Sequence, residues 1–395
     1  MEKLSLTSIP VLAIYITSML IGGLYALVIP TLSVFLANEL YVRPILIGLF
    51  FVCTSLSIFL QGQAVAFWTD KIEDRRKLIS AAMMLGGLAC FGFAIARSYA
   101  LVLLISVTLY SLAFVAVGQI FEIAKEFSAK AVSEKQARVF NYSLCAFIAL
   151  AWMLGPPLAF ASLKLLDFGQ HYATAGVLYF VVALVALYFL PNTVKAVEIR
   201  EFPEPQTHTR SIYITVIAFS LLFSANQVFL VVLPLYLQQQ LAVDSFGAGW
   251  VFGLAAGLEI PMLFLAGWLT LRFRLMSLIK VAAFAAFLLN LGLWQATALW
   301  HIYALQILNA IFIGFISGVG ITWFYQRKLG VASSSSTLFF QSINLGGVMG
   351  SIAIVLLAEN YGYRHLFAVN AVVCFIAMAM LFVISRRMES KPVQL

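Results

Sequence analysis

Apolar runs of about twenty residues recur along this chain from Ile9 to Ile384, separated only by short polar, proline or glycine-rich breaks. A helix needs ~20 such residues to cross the ~30 Å of hydrocarbon in a bilayer. Of the 395 residues 63% are hydrophobic and 10% are charged, against roughly 25% charged in a soluble domain. No soluble core hides that much apolar surface. The chain is therefore read as an all-α integral membrane protein.

Splitting the runs at their breaks predicts twelve spans, at 9 to 36, 44 to 67, 78 to 96, 100 to 121, 139 to 163, 171 to 190, 211 to 237, 246 to 270, 275 to 296, 299 to 325, 336 to 358 and 363 to 385. The first run is too long for the core of a cleavable signal peptide and ends in no small-residue cleavage site, so it is taken as the first spanning helix. The longest polar break, PNTVKAVEIREFPEPQTHTR, divides six spans from six. It predicts an N-terminal six-helix bundle over 1–191, a linker over 192–210 and a C-terminal six-helix bundle over 211–395.

An even number of spans puts both termini on one side, where twenty of the lysines and arginines fall. Only Arg43, Arg97, Lys164 and Arg364 fall on the other. By the positive-inside rule the termini and linker face the cytoplasm. The net charge of +8 is thus a matter of topology, and no nucleic-acid partner is expected. Cys53, Cys90, Cys145 and Cys374 all lie in apolar runs without regular spacing, which fits small buried hydrophobes and neither a disulfide framework nor a metal site. His171, His208, His301 and His365 show no ligand spacing, and no G-x-x-x-x-G-K-[ST] loop is present, so neither an embedded enzyme nor ATP hydrolysis is expected. No cofactor is expected, and the chain is expected to act as a monomer in contact with the bilayer.

A weak internal repeat runs at an offset of about 201. FLANELYVRPILIGLF (35 to 50) lines up with YLQQQLAVDSFGAGWV (236 to 251), pairing Leu40 with Leu241 and Gly48 with Gly249. Two pseudo-symmetric six-helix bundles follow, a plan used by transporters that rock about a midplane site.

Polar residues inside the spans carry the functional reading, because each needs a partner in hydrocarbon. They include Gln61, Gln63, Gln119, Asn141, Asn226, Gln227, Asn290, Gln306, Asn309, Gln341 and Asn344. Each amide can bond a neighbouring helix. Together with Tyr15, Tyr25, Trp152 and Trp323 they also suit a neutral ligand with many hydroxyls, since amides satisfy hydroxyls in both senses and aromatic faces cover a sugar ring. In LAWMLGPPLAF (150 to 160) the paired prolines predict a bend beside Gly155, either a fixed kink or a moving hinge at Gly155 and Pro156. In WTDKIEDRRK (68 to 77), Asp70 with Arg75 and Arg76 reads either as a plain basic loop or as a charge lock between helix ends.

The sharpest feature is AAGLEIPMLF (255 to 264), which places Glu259 near the centre of a span, where an ionised side chain costs at least ~2.5 kcal/mol. Pro261 cannot donate its amide and crowds the carbonyl of Gly257, so a freed acceptor lies beside the carboxyl. A buried acid favours its neutral form. Glu259 is therefore a candidate to carry a proton, to bind a substrate hydroxyl, or to be a structural acid held neutral by an amide. Glu122, near a span end, can reach water.

The chain resembles the sugar efflux transporters of the major facilitator superfamily. The resemblance rests on PTLSVFLANE (30 to 39), IGLF (47 to 50), DRRKLI (74 to 79), LAWMLGPPLAF, AAGLEIPM (255 to 262), LQILNAIFIGFISGVGITWF (305 to 324) and STLFFQSI (336 to 343). It implies the major facilitator fold and export of sugars or glycosides by proton antiport. It also implies a gating role for Asp70, Arg75 and Arg76, and shared positions at Asn226, Glu259, Gln306, Asn309 and Ser342. Two positions depart from the family pattern: Cys145 stands near the place of an arginine and Val232 near that of an acid, which increases the burden on Glu259.

The reading that results is a secondary transporter working by alternating access, with Glu259 as the proton-coupling group. Asn226, Glu259, Gln306, Asn309, Gln341, Asn344, Gln119, Trp152 and Tyr25 are the candidate substrate-binding residues. A multidrug antiporter of the same superfamily and a non-transporting membrane sensor are the alternatives.

Overall fold

An α-helix satisfies its own backbone hydrogen bonds in lipid, and each apolar run is helical. The structure, a computed structural model, describes residues 8–69, 74–131, 134–192, 209–325 and 335–389. In chain order it contains α1 (Ile9–Asn38), α2 (Pro44–Thr69) and α3 (Arg75–Ile95), then a fourth span assembled from α4 (Tyr99–Ile105), a π-helical turn (Ser106–Tyr110), α5 (Ser111–Ala113) and α6 (Val115–Ala131). There follow α7 (Glu134–Leu165), α8 (Phe168–Phe189), α9 (Thr209–Gln240), α10 (Ser245–Leu269), α11 (Leu275–Gln295), α12 (Leu299–Tyr325) and α13 (Ser335–Glu389).

Among the described residues eleven segments are long and apolar enough to cross a bilayer, and the last covers 49 residues from Leu338 to Arg386. At ~1.5 Å per residue that is over twice the thickness of the hydrocarbon. Gly362 divides it, with φ 74° and ψ 167°, a conformation that glycine adopts without steric penalty. Two spans result, which completes the expected twelve. The helices then alternate in direction. One face of the bundle carries the start of α1 and the end of α13, and is called here the terminal face. The other carries the turns at 39–43, 96–98, 166–167, 241–244, 296–298 and Gly362, and is called the loop face.

Within the first half α3 packs on α8 and α1 on α7; within the second, α9 packs on α13 and α11 on both α12 and α13. The halves meet along α2 with α13, α7 with α10, and α1 with α9.

The repeat suggested by the sequence is visible in the backbone. Tyr41 and Ala242 are the two non-glycine residues with positive φ, 52° and 50°, among the described residues. Each is followed by an equivalent turn bond, Val42 N to Leu36 O and Val243 N to Leu237 O, both 2.9 Å. Gly48 and Gly249 mark equivalent crossings. A Cβ on Gly48 would lie 2.7 Å from Val355 N of α13, and one on Gly249 would lie 2.9 Å from Pro156 O of α7.

The expected bend in the fifth span does not interrupt its helix, for α7 runs through Pro156 and Pro157. Pro157 leaves the Met153 carbonyl without its helical donor, and α10 covers it at Gly253, where a Cβ would come within 2.8 Å of Met153 O. On another side Gly155 admits α1, since its Cβ would stand 2.5 Å from the Ala26 Cβ. The motif is a packing surface shared by three helices.

The fourth span also differs from a plain helix. At its π-helical turn the Val107 carbonyl accepts from Ser57 Oγ (2.7 Å), Gln61 Nε2 (2.9 Å) and Ser111 Oγ (2.6 Å). These donors replace the slipped helical ladder and tie the span to α2.

Candidate functional site

Glu259 sits mid-way along α10, and the helical period fixes where it faces. Trp250, Phe264, Leu265 and Trp268 make the exposed stripe of α10. Glu259 follows Trp250 by nine residues, about 180° around a helix that turns ~100° per residue. It is half-buried all the same, so it borders open space inside the bundle rather than lipid. No hydrogen bond or ion pair reaches its carboxyl among the described residues.

The same reasoning places three more residues. Asn226 is nine residues beyond the exposed Ile217, about 180° around α9, and is half-buried with no partner among the described residues. Trp152 lies about 160° from the exposed Leu154 of α7 and is half-buried. Asn309, nine residues from the exposed Trp300, also faces inward. It is buried, donates to Gln306 Oε1 at 3.1 Å, and leaves its own Oδ1 with no acceptor bond among the described residues. Gln306 is fully buried and gives its amide to Ile302 O at 2.7 Å. The polar atom this pair leaves without a partner among the described residues is Asn309 Oδ1, which is itself buried.

Two further amides lie on α13. Gln341 donates to Gln63 Oε1 of α2 at 3.2 Å, bridging the halves. Asn344, almost one turn further, is half-buried and has no partner among the described residues. Ser342 is buried and spends its hydroxyl on Leu338 O at 2.9 Å.

The remaining candidates turn away from this inner space. Tyr25 is buried inside the first half, donating to Ala113 O at 2.6 Å and stacking on Phe114. Gln119 accepts from Arg75 Nη1 at 2.7 Å, while Arg75 Nε and Nη2 hold Glu126 Oε1 at 3.0 and 2.9 Å. That network joins α3 to α6 within one half. Arg76 pairs with Asp74, which caps α3 by accepting from Arg76 N at 3.1 Å. The hydrogen bond from the Arg76 guanidinium holds the Asp74 carboxyl below its ordinary pKa. Asp70 lies outside the described residues, as does most of the linker.

Two features escaped the sequence reading. Cys145 lies within electrostatic reach of Glu259, at the seam where Ala146 and Ala149 of α7 pack against Leu263 of α10. Two ion pairs join the halves at the loop face, Arg43 with Glu359 and Lys164 with Asp244. A signal was present for the second: Arg43 and Lys164 are exceptions to the positive-inside bias, and a cation that resists the bias has a local reason to stay.

Chemically, the inner faces present one carboxyl without a counter-ion, several amide groups and an indole. They can exchange a proton and hold hydroxyls, and among the described residues they offer no nucleophile and base in mutual contact.

Comparison with known proteins gives the lineage of the chain. Residues 14–343 match the Major Facilitator Superfamily. Sugar efflux transporter A of Dickeya chrysanthemi is 34% identical over 359 residues, covering 90% of this chain and 91% of that protein. Sugar efflux transporter C of Escherichia coli (strain K12) is 32% identical, covering 90% and 91%. Among solved structures, the nucleoside transporter NupG superposes with a TM-score of 0.76 at 13% identity, covering 94% of this chain and 99% of that one. A bacterial homologue of the human lysosomal transporter Spinster gives 0.71 at 14% identity, covering 95% and 96%. The structural likenesses establish the fold, the sequence likenesses the lineage, and together they make this chain a member of the sugar efflux transporters of the Major Facilitator Superfamily.

Proposed function

We propose that the chain exports sugars or glycosides by alternating access, with inward movement of a proton on Glu259 driving outward movement of the sugar. The supporting observation is the inward-facing Glu259 carboxyl, which has no ion-pair or hydrogen-bond partner among the described residues. A fixed counter-ion would hold such an acid charged and idle; without one, a proton or a substrate hydroxyl can take the place. The names of the relatives point to sugars, and the inward-facing amides of α9, α12 and α13 suit hydroxyls.

In this reading Asn226, Asn309, Asn344, Gln306 and Gln341 hold or position the hydroxyls and Trp152 covers a ring face. Tyr25 and Gln119, whose polar groups are already engaged, brace the first half. With the terminal face open to the cytoplasm, the ionised Glu259 accepts sugar. After the halves rock, a proton from outside takes its place and the sugar leaves. Arg75, Arg76 and Asp74 stiffen the cytoplasmic end of the first half, Asp70 completes the gate there, and Gly155 and Pro156 keep α1 and α10 in close register. The 1–191 and 211–395 bundles move as bodies on the 192–210 linker, in a monomer in the inner membrane with both termini cytoplasmic.

The experiment is flux of labelled lactose or a thioglycoside in proteoliposomes, with and without an imposed pH gradient. Wild-type efflux is expected to accelerate when the compartment receiving the sugar is acidic. Glu259→Gln is expected to fold and to lose that response. A Glu259→Gln protein with an unchanged pH response would refute the coupling role.

A further inference from the structure

Three polar contacts bridge the halves at the loop face. Asn38 Nδ2 of α1 donates to Gln238 Oε1 of α9 at 3.1 Å. Arg43, just before α2, pairs with Glu359 of α13, and Lys164, in the last turn of α7, pairs with Asp244 at the start of α10. The two ion pairs are repeat equivalents. Arg43 and Asp244 are 201 residues apart and each immediately precedes its helix. Their partners each lie at the loop-face end of the helix crossed by Gly48 or Gly249.

The charges are exchanged between the copies. Both cations, Arg43 and Lys164, belong to the first half; both anions, Glu359 and Asp244, belong to the second. Opening the loop face by rocking the halves must therefore separate both pairs together, and neither cation can re-pair with an anion of the other pair without crossing the gap again. After opening, two cations face two anions across the cleft, and closure is pulled from both sides of the axis. Gly48 and Gly249 place the backbones in contact directly beneath the pairs, so the electrostatic and steric parts of the closure coincide.

We propose that Arg43–Glu359 and Lys164–Asp244 form a two-point latch that sets how readily the loop face opens, and so the rate at which a carried sugar is released there. This rests on the alternating-access reading. The pairs are largely exposed, with side-chain accessibilities of 74% and 26% for Arg43 and Glu359 and 48% and 59% for Lys164 and Asp244. An exposed pair shifts an equilibrium by up to about fivefold, and two acting together by up to ~30-fold, less at high salt.

Cys145, half-buried where α7 packs on α10, supplies a native reporter of access to the seam between the halves. Membranes are treated from the loop side with an impermeant maleimide, and modification of Cys145 is followed by peptide mass spectrometry, which separates it from Cys53, Cys90 and Cys374. Arg43→Gln with Asp244→Asn, which breaks both pairs, is expected to label up to ~30-fold faster than wild type. Either change alone is expected to give no more than about fivefold. Exchanging the charges in both pairs (Arg43→Glu with Glu359→Arg, Lys164→Asp with Asp244→Lys) is expected to restore slow labelling. Wild-type labelling in the neutralised protein, or fast labelling in the charge-exchanged one, overturns the latch. Counterflow of labelled sugar in the same membranes separates the two ideas. Faster labelling in a protein whose wild type moves no sugar keeps the latch and removes the sugar-export reading. Unaltered labelling beside normal counterflow does the reverse.

Discussion

Adding one methyl group at Gly48 or Gly249 tests whether the halves close as rigid bodies. A Cβ at position 48 would meet Val355 N at 2.7 Å, Val355 Cγ2 at 2.9 Å and Val355 Cα at 3.0 Å; at position 249 it would meet Pro156 O at 2.9 Å and Pro157 Cα at 3.0 Å. Carbon makes comfortable contacts near ~3.5 Å, so each site is short by ~0.5–0.8 Å. The atoms in the way are mostly backbone, which no rotamer change can move. Either the helices part by that distance or the loop face stays open. Overpacking of this kind costs about 1–3 kcal/mol, and because the open arrangement separates these helices the penalty falls on the closed state alone. At ~1.4 kcal/mol per factor of ten, Gly48→Ala is expected to shift the equilibrium away from loop-face closure by ~5–150-fold. The protein should remain folded, with a thermal midpoint in detergent near that of wild type, faster labelling of Cys145 from the loop side and slower sugar exchange. Gly249→Ala should act in the same direction, since it is the repeat equivalent. Wild-type labelling and flux in both variants would refute the argument, because the crossings could then loosen independently of the cycle.

Asn309→Leu separates ligand binding from stability. The Asn309 Oδ1 acceptor is buried without a partner, a state that costs about 1–3 kcal/mol. The substitution removes that orphan but leaves the buried Gln306 Oε1 without its donor, so the thermal midpoint is expected to change little while sugar binding, measured by isothermal titration, weakens; a large fall in stability would show that the amide serves the bundle. Asp74→Ala removes the cap of α3 and is expected to cost ~0.5–2 kcal/mol. Because the Arg76 bond depresses the Asp74 pKa in the folded protein, that stabilisation is fully present above the ordinary ~3.9 and fades as pH falls below it. Unfolding curves of the two proteins should differ at pH 7 and converge in acid; a gap that persists below pH 2 would contradict the assignment.

The positions of the amides and the acid were legible in the sequence, and their directions were not. Tyr25 and Gln119 were as good candidates as Asn226 while only residue type was known. In the fold Tyr25 bonds Ala113 and Gln119 bonds Arg75, whereas Asn226 keeps its amide free of the described residues. The difference lies in which helix stands opposite. The GPP motif is a similar case: proline chemistry foretold freed carbonyls, but a glycine on α10, a hundred residues away in the chain, determines that they are covered instead of bent open.

Hydropathy and span length are local properties, so the number of crossings followed from the sequence alone, including the division of the last helix near Gly362. The periodicity of the repeat was present too, though in leucine-rich segments it gained force only when two turns with the same unusual backbone appeared at equivalent places. Pairing between distant charges has no local signature. That Arg43 reaches Glu359 and Lys164 reaches Asp244 was decided by packing α2 on α13 and α7 on α10, because only the assembled halves bring residues eighty or more positions apart within reach of an ion pair.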